Sequence, residues 1–153
     1  MKRDSRLSSV LHVLLHMAER DEPATSESLA AAMKTNPVVL RRLMTGLRHA
    51  GFVASEKGHG GGWVISCPMA TTTLRDIHEA LGAPTLLAVG HRDDHPTCLV
   101  EQAVNAALGD VYQQAEALLL AQLGRVTLAQ LSKDFHRCMV AGGFSHTVNE
   151  HAV

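Results

Sequence analysis

The chain has 153 residues, 46% of them hydrophobic and 19% charged, so it can bury a core and is not an intrinsically disordered protein. Its net charge of −1 excludes a uniformly basic nucleic-acid binder, and its three widely spaced cysteines exclude a disulfide framework or a paired C-x-x-C zinc site. Neither a secretory signal nor an apolar run of the roughly 20 residues that span a bilayer is visible, so we expect a soluble cytoplasmic protein without a membrane partner.

Positive charge is concentrated in the first part of the chain. Residues 1–66 contain nine Lys or Arg and six Asp or Glu, a balance of +3, whereas residues 67–153 contain five and nine, a balance of −4. A phosphate-binding surface requires local rather than overall positive charge. The distribution therefore allows a nucleic-acid partner for the N-terminal part.

Three helices are predicted in the first 50 residues. Apolar residues recur at helical spacing in 5–20, 26–33 and 37–50. Asn36 followed by Pro37 is a strong start signal for the third helix, because Asn is a good N-cap and proline loses no hydrogen bond at the first helical position. Two helices joined by a tight turn are typical of a helix-turn-helix.

Two short strands are predicted next, over 52–55 and 63–66. The loop between them contains four glycines together with Lys57 and His59. A phosphate-cradling P-loop is the alternative, but no Gly-Lys-Ser or Gly-Lys-Thr follows. Three helices and a hairpin predict a mainly α fold in which residues 1–66 form a winged helix-turn-helix domain with a two-stranded wing.

The second half is predicted to contain a short helix over 74–81, an aperiodic loop over 82–96 and a long helix over 97–123. Apolar residues recur along the long helix at Val100, Val104, Ala107, Val111, Ala115 and Leu118. So small a first domain cannot cover this face, so the long helix is predicted to pair two monomers into a homodimer. We assign residues 67–131 to the linker, loop and dimerisation helix, and 132–153 to a tail that is mobile from about His136.

The exposed start of the third helix is predicted to contact the DNA bases. This helix is the second of the helix-turn-helix, and that helix enters the major groove with its N-terminal end. Arginine can bond guanine edges, and valine methyls can contact thymine methyls. The candidate DNA-binding residues are Thr25, Ser26 and Ser28 at the start of the second helix, Asn36, Val38, Val39, Arg41, Arg42 and Arg48 in the third, and Lys57, His59 and Gly60 in the wing. The alternative is that these arginines form an ordinary solvated helix face.

The segment from Asn36 to Val53, NPVVLRRLMTGLRHAGFV, resembles the recognition helix of Rrf2-family transcription regulators, and the loop KGHGGGW at 57–63 resembles their wing. The segment TLRDIHEAL at 73–81 fits the same layout, and the resemblance covers about residues 5–131. It implies a homodimer that binds double-stranded DNA at a pseudo-palindromic operator. It also implies, for the best-known branches, an iron–sulfur cluster held by cysteines in the loop before the long helix.

The cysteines depart from that family pattern. The loop at 82–97 contains none, and only Cys98 stands at its end. Because such clusters normally need three or four thiolates, we expect no cofactor. Three roles remain open for Cys98: a redox-sensing thiol, an inert buried thiol, or a metal ligand together with His91, Asp94 and His95.

Other function classes receive less support from the sequence. A winged helix can also serve as a protein-interaction module without specific DNA binding, and the acidic second half would suit such a role. No catalytic motif is present, so an enzyme is not expected. His12 and His16 have a spacing that can bind metal but no evident third ligand, and His78 is predicted to lie on a helix surface.

Overall fold

The computed structural model describes residues 6–87, 89 and 97–142. Six helices and one two-stranded antiparallel sheet make up the described fold. The elements are α1 (Arg6–Ala18), α2 (Ser26–Ala32), α3 (Pro37–His49), β1 (Val53–Glu56), β2 (Gly62–Ile65), α4 (Leu74–Ala80), α5 (Leu99–Leu123) and α6 (Leu128–Ala141). The mainly α winged helix-turn-helix with a long C-terminal helix is confirmed.

The core sits where the inner faces of the first three helices meet. The buried apolar residues on these helices are Val10, Val13, Leu14 and Met17 in α1, Leu29 and Ala30 in α2, and Leu40, Met44 and Leu47 in α3. They recur at steps of three and four, so each helix turns one stripe inward and leaves the opposite face to solvent. This packing fixes which side chains of α3 point outward.

Side-chain caps begin both helices of the helix-turn-helix. Thr25 caps α2, and its Oγ1 accepts a hydrogen bond from the Ser28 amide at 3.1 Å. Asn36 caps α3 and accepts from the Val38 amide at 2.8 Å. Between the helices, Lys34 turns the chain with a φ of 49°, a left-handed conformation that few non-glycine residues adopt. The predicted start at Asn36–Pro37 is therefore confirmed.

The hairpin pairs one residue further toward its tip than the sequence indicated. The register runs from Val53 opposite Ile65 to Glu56 opposite Gly62, so the strands are 53–56 and 62–65 and not 52–55 and 63–66. Gly58 and Gly60 have φ values of 101° and 78°. Because such residues reverse the chain tightly, the ladder extends to Glu56.

The core crosses the predicted domain boundary at residue 66. Ile77 of α4 and Leu128 of α6 are fully buried in the same apolar cluster as the first three helices. The starts of α4 and α6 are joined by backbone hydrogen bonds, from the Leu74 amide to the Val126 carbonyl and from the Leu128 amide to the Thr72 carbonyl, each 2.9 Å. These residues complete the core beneath the helix-turn-helix.

The prediction that His78 lies on a helix surface is wrong. Its side chain is 2% exposed, and its Nδ1 makes no hydrogen bond within the described residues. Helix α4 has seven residues, and its inner face carries His78 next to Ile77. A short helix that packs closely against its neighbours leaves little surface, which the sequence pattern alone does not reveal.

The long helix begins two residues later than predicted. It runs Leu99–Leu123, and Cys98 is its N-cap with an extended backbone rather than a residue of the first turn. No residue of α5 is buried within the described part of the chain. No described helix has the length and apolar content needed to cross a bilayer.

The prediction of a tail from residue 132 is wrong as far as Ala141, because α6 continues through that segment. Thr127 caps this helix by accepting from the Gln130 amide at 3.1 Å. The helix is held against α1 by a contact of 3.0 Å between His136 Nε2 and Glu19 Oε2. Leu128, Leu131 and Phe135 recur at helical spacing along α6, so the sequence does carry an apolar pattern there that the prediction did not use. Residues 143–153 lie outside the described residues.

Candidate nucleic-acid interface

The outer face of α3 begins with two exposed valines. Val38 and Val39 are 57% and 59% exposed, although the same helix buries Leu40, Met44 and Leu47 almost completely. Pro37 fixes the first turn and Asn36 caps it, so the backbone that carries both valines is rigid. Exposed apolar side chains at the start of a well-capped helix are suited to contact thymine methyl groups in a major groove.

The three arginines of α3 are all exposed, but their surroundings differ. Arg41 Nη2 lies 3.3 Å from Glu27 Oε1 of α2, in a solvent-exposed ion pair. Arg48 Nη1 donates a long hydrogen bond of 3.4 Å to Ser55 Oγ of β1. Within the described residues Arg42 makes no ion pair or hydrogen bond. The guanidinium of Arg42 is therefore directly available to a ligand.

Glu27 is a residue that the sequence did not single out. It follows the cap of α2, and its carboxylate reaches across to Arg41, 14 positions further on. The ion pair between Glu27 and Arg41 depends on the angle between two helices, so no local sequence pattern predicts it. It orients Arg41 but adds negative charge beside the predicted interface.

The three predicted DNA-binding residues at the start of α2, Thr25, Ser26 and Ser28, lie in different environments. Thr25 is exposed, and the Ser28 hydroxyl donates to its carbonyl at 3.1 Å. Ser26 is different: it is buried, and its Oγ accepts a hydrogen bond of 3.0 Å from Nε1 of Trp63. That oxygen faces inward to satisfy a buried indole, so a DNA contact by Ser26 would have to come from its backbone amide. The DNA contacts of all three residues stay predictions.

The wing presents Lys57, His59 and Gly60 to solvent. The glycines behind them are needed for the fold itself. A Cβ at Gly61 would lie 2.4 Å from the Glu56 carbonyl oxygen, and one at Gly62 would lie 2.7 Å from that of Ala24. Gly62 thus lets the Ala24 segment pair with Trp63 beside it. These contacts fix the base of the wing and leave its tip free.

Cys98 is exposed in the single chain, so the described residues of its own chain do not bury it. The nearby backbone amides of Glu101 and Val100 lower the pKa of the Cys98 thiol and desolvation opposes them, although the Cys98 side chain makes no capping hydrogen bond. This is the usual effect of a helix start on a thiolate. All three cysteines are free, with Cys67 half-buried beyond β2 and Cys138 exposed on α6.

The weak metal alternative at the loop falls largely outside the described residues, because His91, Asp94 and His95 are not among them. Within the part of the chain that is described, no three His, Cys, Asp or Glu side chains come together as potential ligands. The described cysteines therefore do not fit the donor set of an iron–sulfur cluster, which requires several converging thiolates.

Comparison with known proteins agrees with this architecture. The chain matches the Rrf2 family model, described as iron-dependent transcriptional regulators, over residues 3–134. It is 28% identical over 125 residues to YwnA of Bacillus subtilis strain 168, described as an HTH-type transcriptional regulator; the match covers 82% of this chain and 92% of YwnA.

Solved structures show the same fold. CymR (YrzC) of B. subtilis, the global cysteine regulator of that organism, superimposes with a TM-score of 0.65 at 22% identity, covering 87% of this chain and 97% of CymR. IscR of T. potens superimposes with a TM-score of 0.66 at 19% identity, covering 88% of each chain. The family match spans α1 to α6, including the capped reading helix and the glycine wing, and the chain therefore belongs to the Rrf2 family of DNA-binding transcriptional regulators.

Proposed function

We propose that this regulator binds a pseudo-palindromic operator as a homodimer, with the start of α3 in the major groove and the wing tip against the adjacent backbone or minor groove. The observation that carries the proposal is the exposed set of Val38, Val39 and Arg42 on a helix whose opposite face is buried. Such a face offers both an apolar contact for thymine and a bidentate donor for guanine. Lys57 and His59 extend the positive surface beyond it.

The ion pair of Arg41 is compatible with this role. Exposed pairs of this kind contribute only about 0–1 kcal/mol, so Arg41 can exchange Glu27 for a guanine edge or a phosphate at little cost. Glu27 then remains near the DNA and repels phosphates that approach out of register. The pair thus favours the correct docking over loose association.

Helix α5 supports the dimer. Its most exposed apolar side chains include Val111 at 58% and Leu118 at 61%, seven residues apart and so on one face. The opposite side of the helix faces its own chain, where Glu116 Oε1 accepts a hydrogen bond of 3.1 Å from the Leu86 amide. A second copy is the natural cover for the outer face, since the two α3 helices of a dimer would then read two half-sites.

Replacing Arg41 and Arg42 together with alanine tests the reading helix. We expect loss of sequence-specific retention in an electrophoretic mobility assay and a shallower dependence of binding on salt concentration, because base and phosphate contacts are both removed. The control is Arg75→Ala with Arg137→Ala, which removes the same charge from α4 and α6 and should leave operator binding intact. A double variant that kept its sequence preference would overturn the assignment of α3.

We further propose that Cys98 modulates operator binding by oxidation and that no iron–sulfur cluster is involved. The thiolate attacks one oxygen of a peroxide, the O–O bond breaks, hydroxide leaves, and the sulfur becomes a sulfenic acid. The exposure of Cys98, its lowered pKa and its place at the start of α5 support this proposal. A change there can alter how two long helices pair.

Hydrogen peroxide should therefore change the operator affinity of the wild type but not of Cys98→Ser, with Cys138→Ser as the control that still responds. Equal responses of wild type and Cys98→Ser would reject the thiol switch. The freshly purified protein should contain neither iron nor sulfide, and stoichiometric iron would show that the sensing chemistry is different.

A further inference from the structure

Helix α1 carries a pair of histidines that the DNA-binding role does not use. His12 and His16 are one helical turn apart on the surface side of the helix, where His12 is exposed and His16 half-buried. Their Nε2 atoms lie 3.0 Å apart, and the ring centroids are 4.8 Å apart with 31° between the planes. One of the two Nε2 atoms donates a hydrogen bond to the other, so both nitrogens lie together in front of the helix.

The separation of these nitrogens matches that of two ligands on one metal ion. Zinc–imidazole bonds measure about 2.0–2.1 Å, so two nitrogens that subtend 90–110° at the metal lie about 2.9–3.4 Å apart. Histidines at positions i and i+4 of a helix are the ligand pair of many helical zinc sites. The observed 3.0 Å falls inside this range, and a cation would take the place of the proton that the two nitrogens share.

Two charged residues lie near the pair. The positive charge of Arg20 opposes a bound cation, and the negative charge of Glu19 favours one. Glu19 lies on the same face one turn later, and its carboxylate is held by His136 Nε2 at 3.0 Å and by the Ser132 hydroxyl at 3.5 Å. It supplies negative charge close to the pair while its own position is fixed from α6.

We propose that His12 and His16 form a two-histidine binding site for a divalent cation of borderline softness such as Zn²⁺, with water in the remaining coordination positions. The site is separate from Cys98 and from the loop that precedes it. No third ligand of this kind converges on it within the described residues, so the ion is exchangeable and not a locked structural metal. The cation would tie two turns of α1, whose other face packs in the helix-turn-helix core.

A titration of the full-length protein with ZnCl₂ tests this site. In NMR spectra of the imidazole nitrogens, the His12 and His16 signals of the wild type should shift together. The shift should saturate at one ion for the pair. Zn²⁺ should also raise the melting temperature, because an ion that binds only the folded state stabilises it. Imidazole signals of His12 and His16 that stay unmoved while other groups take up zinc would overturn the proposal.

The variant His12→Gln supplies the second arm, since His12 is exposed and its loss leaves the core intact. Calorimetry should find one bound Zn²⁺ fewer per chain than in the wild type, and the zinc-dependent rise in melting temperature should shrink. The matched control is His49→Gln, an exposed histidine of α3 whose replacement should leave the zinc stoichiometry unchanged. An identical stoichiometry in His12→Gln and the wild type would equally overturn the proposal.

Discussion

At the scale of single residues, a buried side-chain hydrogen bond joins the helix-turn-helix to the wing. The indole Nε1 of Trp63 in β2 donates to Ser26 Oγ of α2 over 3.0 Å, and both side chains are buried. The Ala24 and Trp63 backbones also exchange hydrogen bonds of 3.0 and 2.8 Å alongside. The wing is therefore fixed relative to α2, and through α2 relative to the reading helix.

Ser26→Ala should lower the free energy of unfolding by about 1–3 kcal/mol, because the indole N–H of Trp63 would remain buried without an acceptor. Urea unfolding followed by the fluorescence of this single tryptophan measures the change. Ser28→Ala is the control, since its half-buried hydroxyl bonds only a nearby carbonyl, and its cost should stay within about 0.5 kcal/mol. Equal costs for the two variants would show that the bond contributes nothing.

Residues whose role is local could be predicted from the sequence. Asn36 acts within two residues of itself as a cap, and Val38 and Val39 are exposed as their place on the helix requires. The burial of Ser26 and of His78 was not predicted because it depends on elements that lie far away in the chain. Local pattern carries no information on such tertiary contacts.

At the scale of elements, α5 is the one described helix that has no buried residue. A helix of 25 residues without one buried side chain loses most of the stabilisation that packing normally supplies. Its apolar residues recur at steps of three and four, so it was predicted, whereas α6 was not predicted at all. Helix α6 carries Leu128, Leu131 and Phe135 at helical spacing, so its pattern is present in the sequence.

Leu118→Asp should shift the protein from dimer to monomer in sedimentation velocity experiments, because it places a charge within the proposed apolar contact. The monomer should bind operator much more weakly, since one half-site then supplies all the contacts. Gln113→Asp introduces the same group on an exposed position of α5 away from the stripe and should remain a dimer. A Leu118→Asp variant with the wild-type mass in solution would place the dimer contact elsewhere.

At the scale of the whole molecule, the two halves of the chain differ in charge and in burial. The first half carries the positive balance and the rigid α3, and the second carries the negative balance and the unburied α5. Ile77 and Leu128 reach back from the second half into the core beneath the DNA-binding helices. A change in how two α5 helices pair can thus be transmitted to the spacing of the two reading helices through packed side chains.

The most direct test of this account is selection of bound fragments from genomic DNA by the full-length protein, with the salt concentration varied. We predict enrichment of an inverted repeat whose half-sites lie about one helical turn, 10–10.5 base pairs, or a multiple of it apart, with affinity falling steeply as salt rises. A chain that enriched no sequence even at low salt would contradict the account and would indicate a winged helix that binds protein instead.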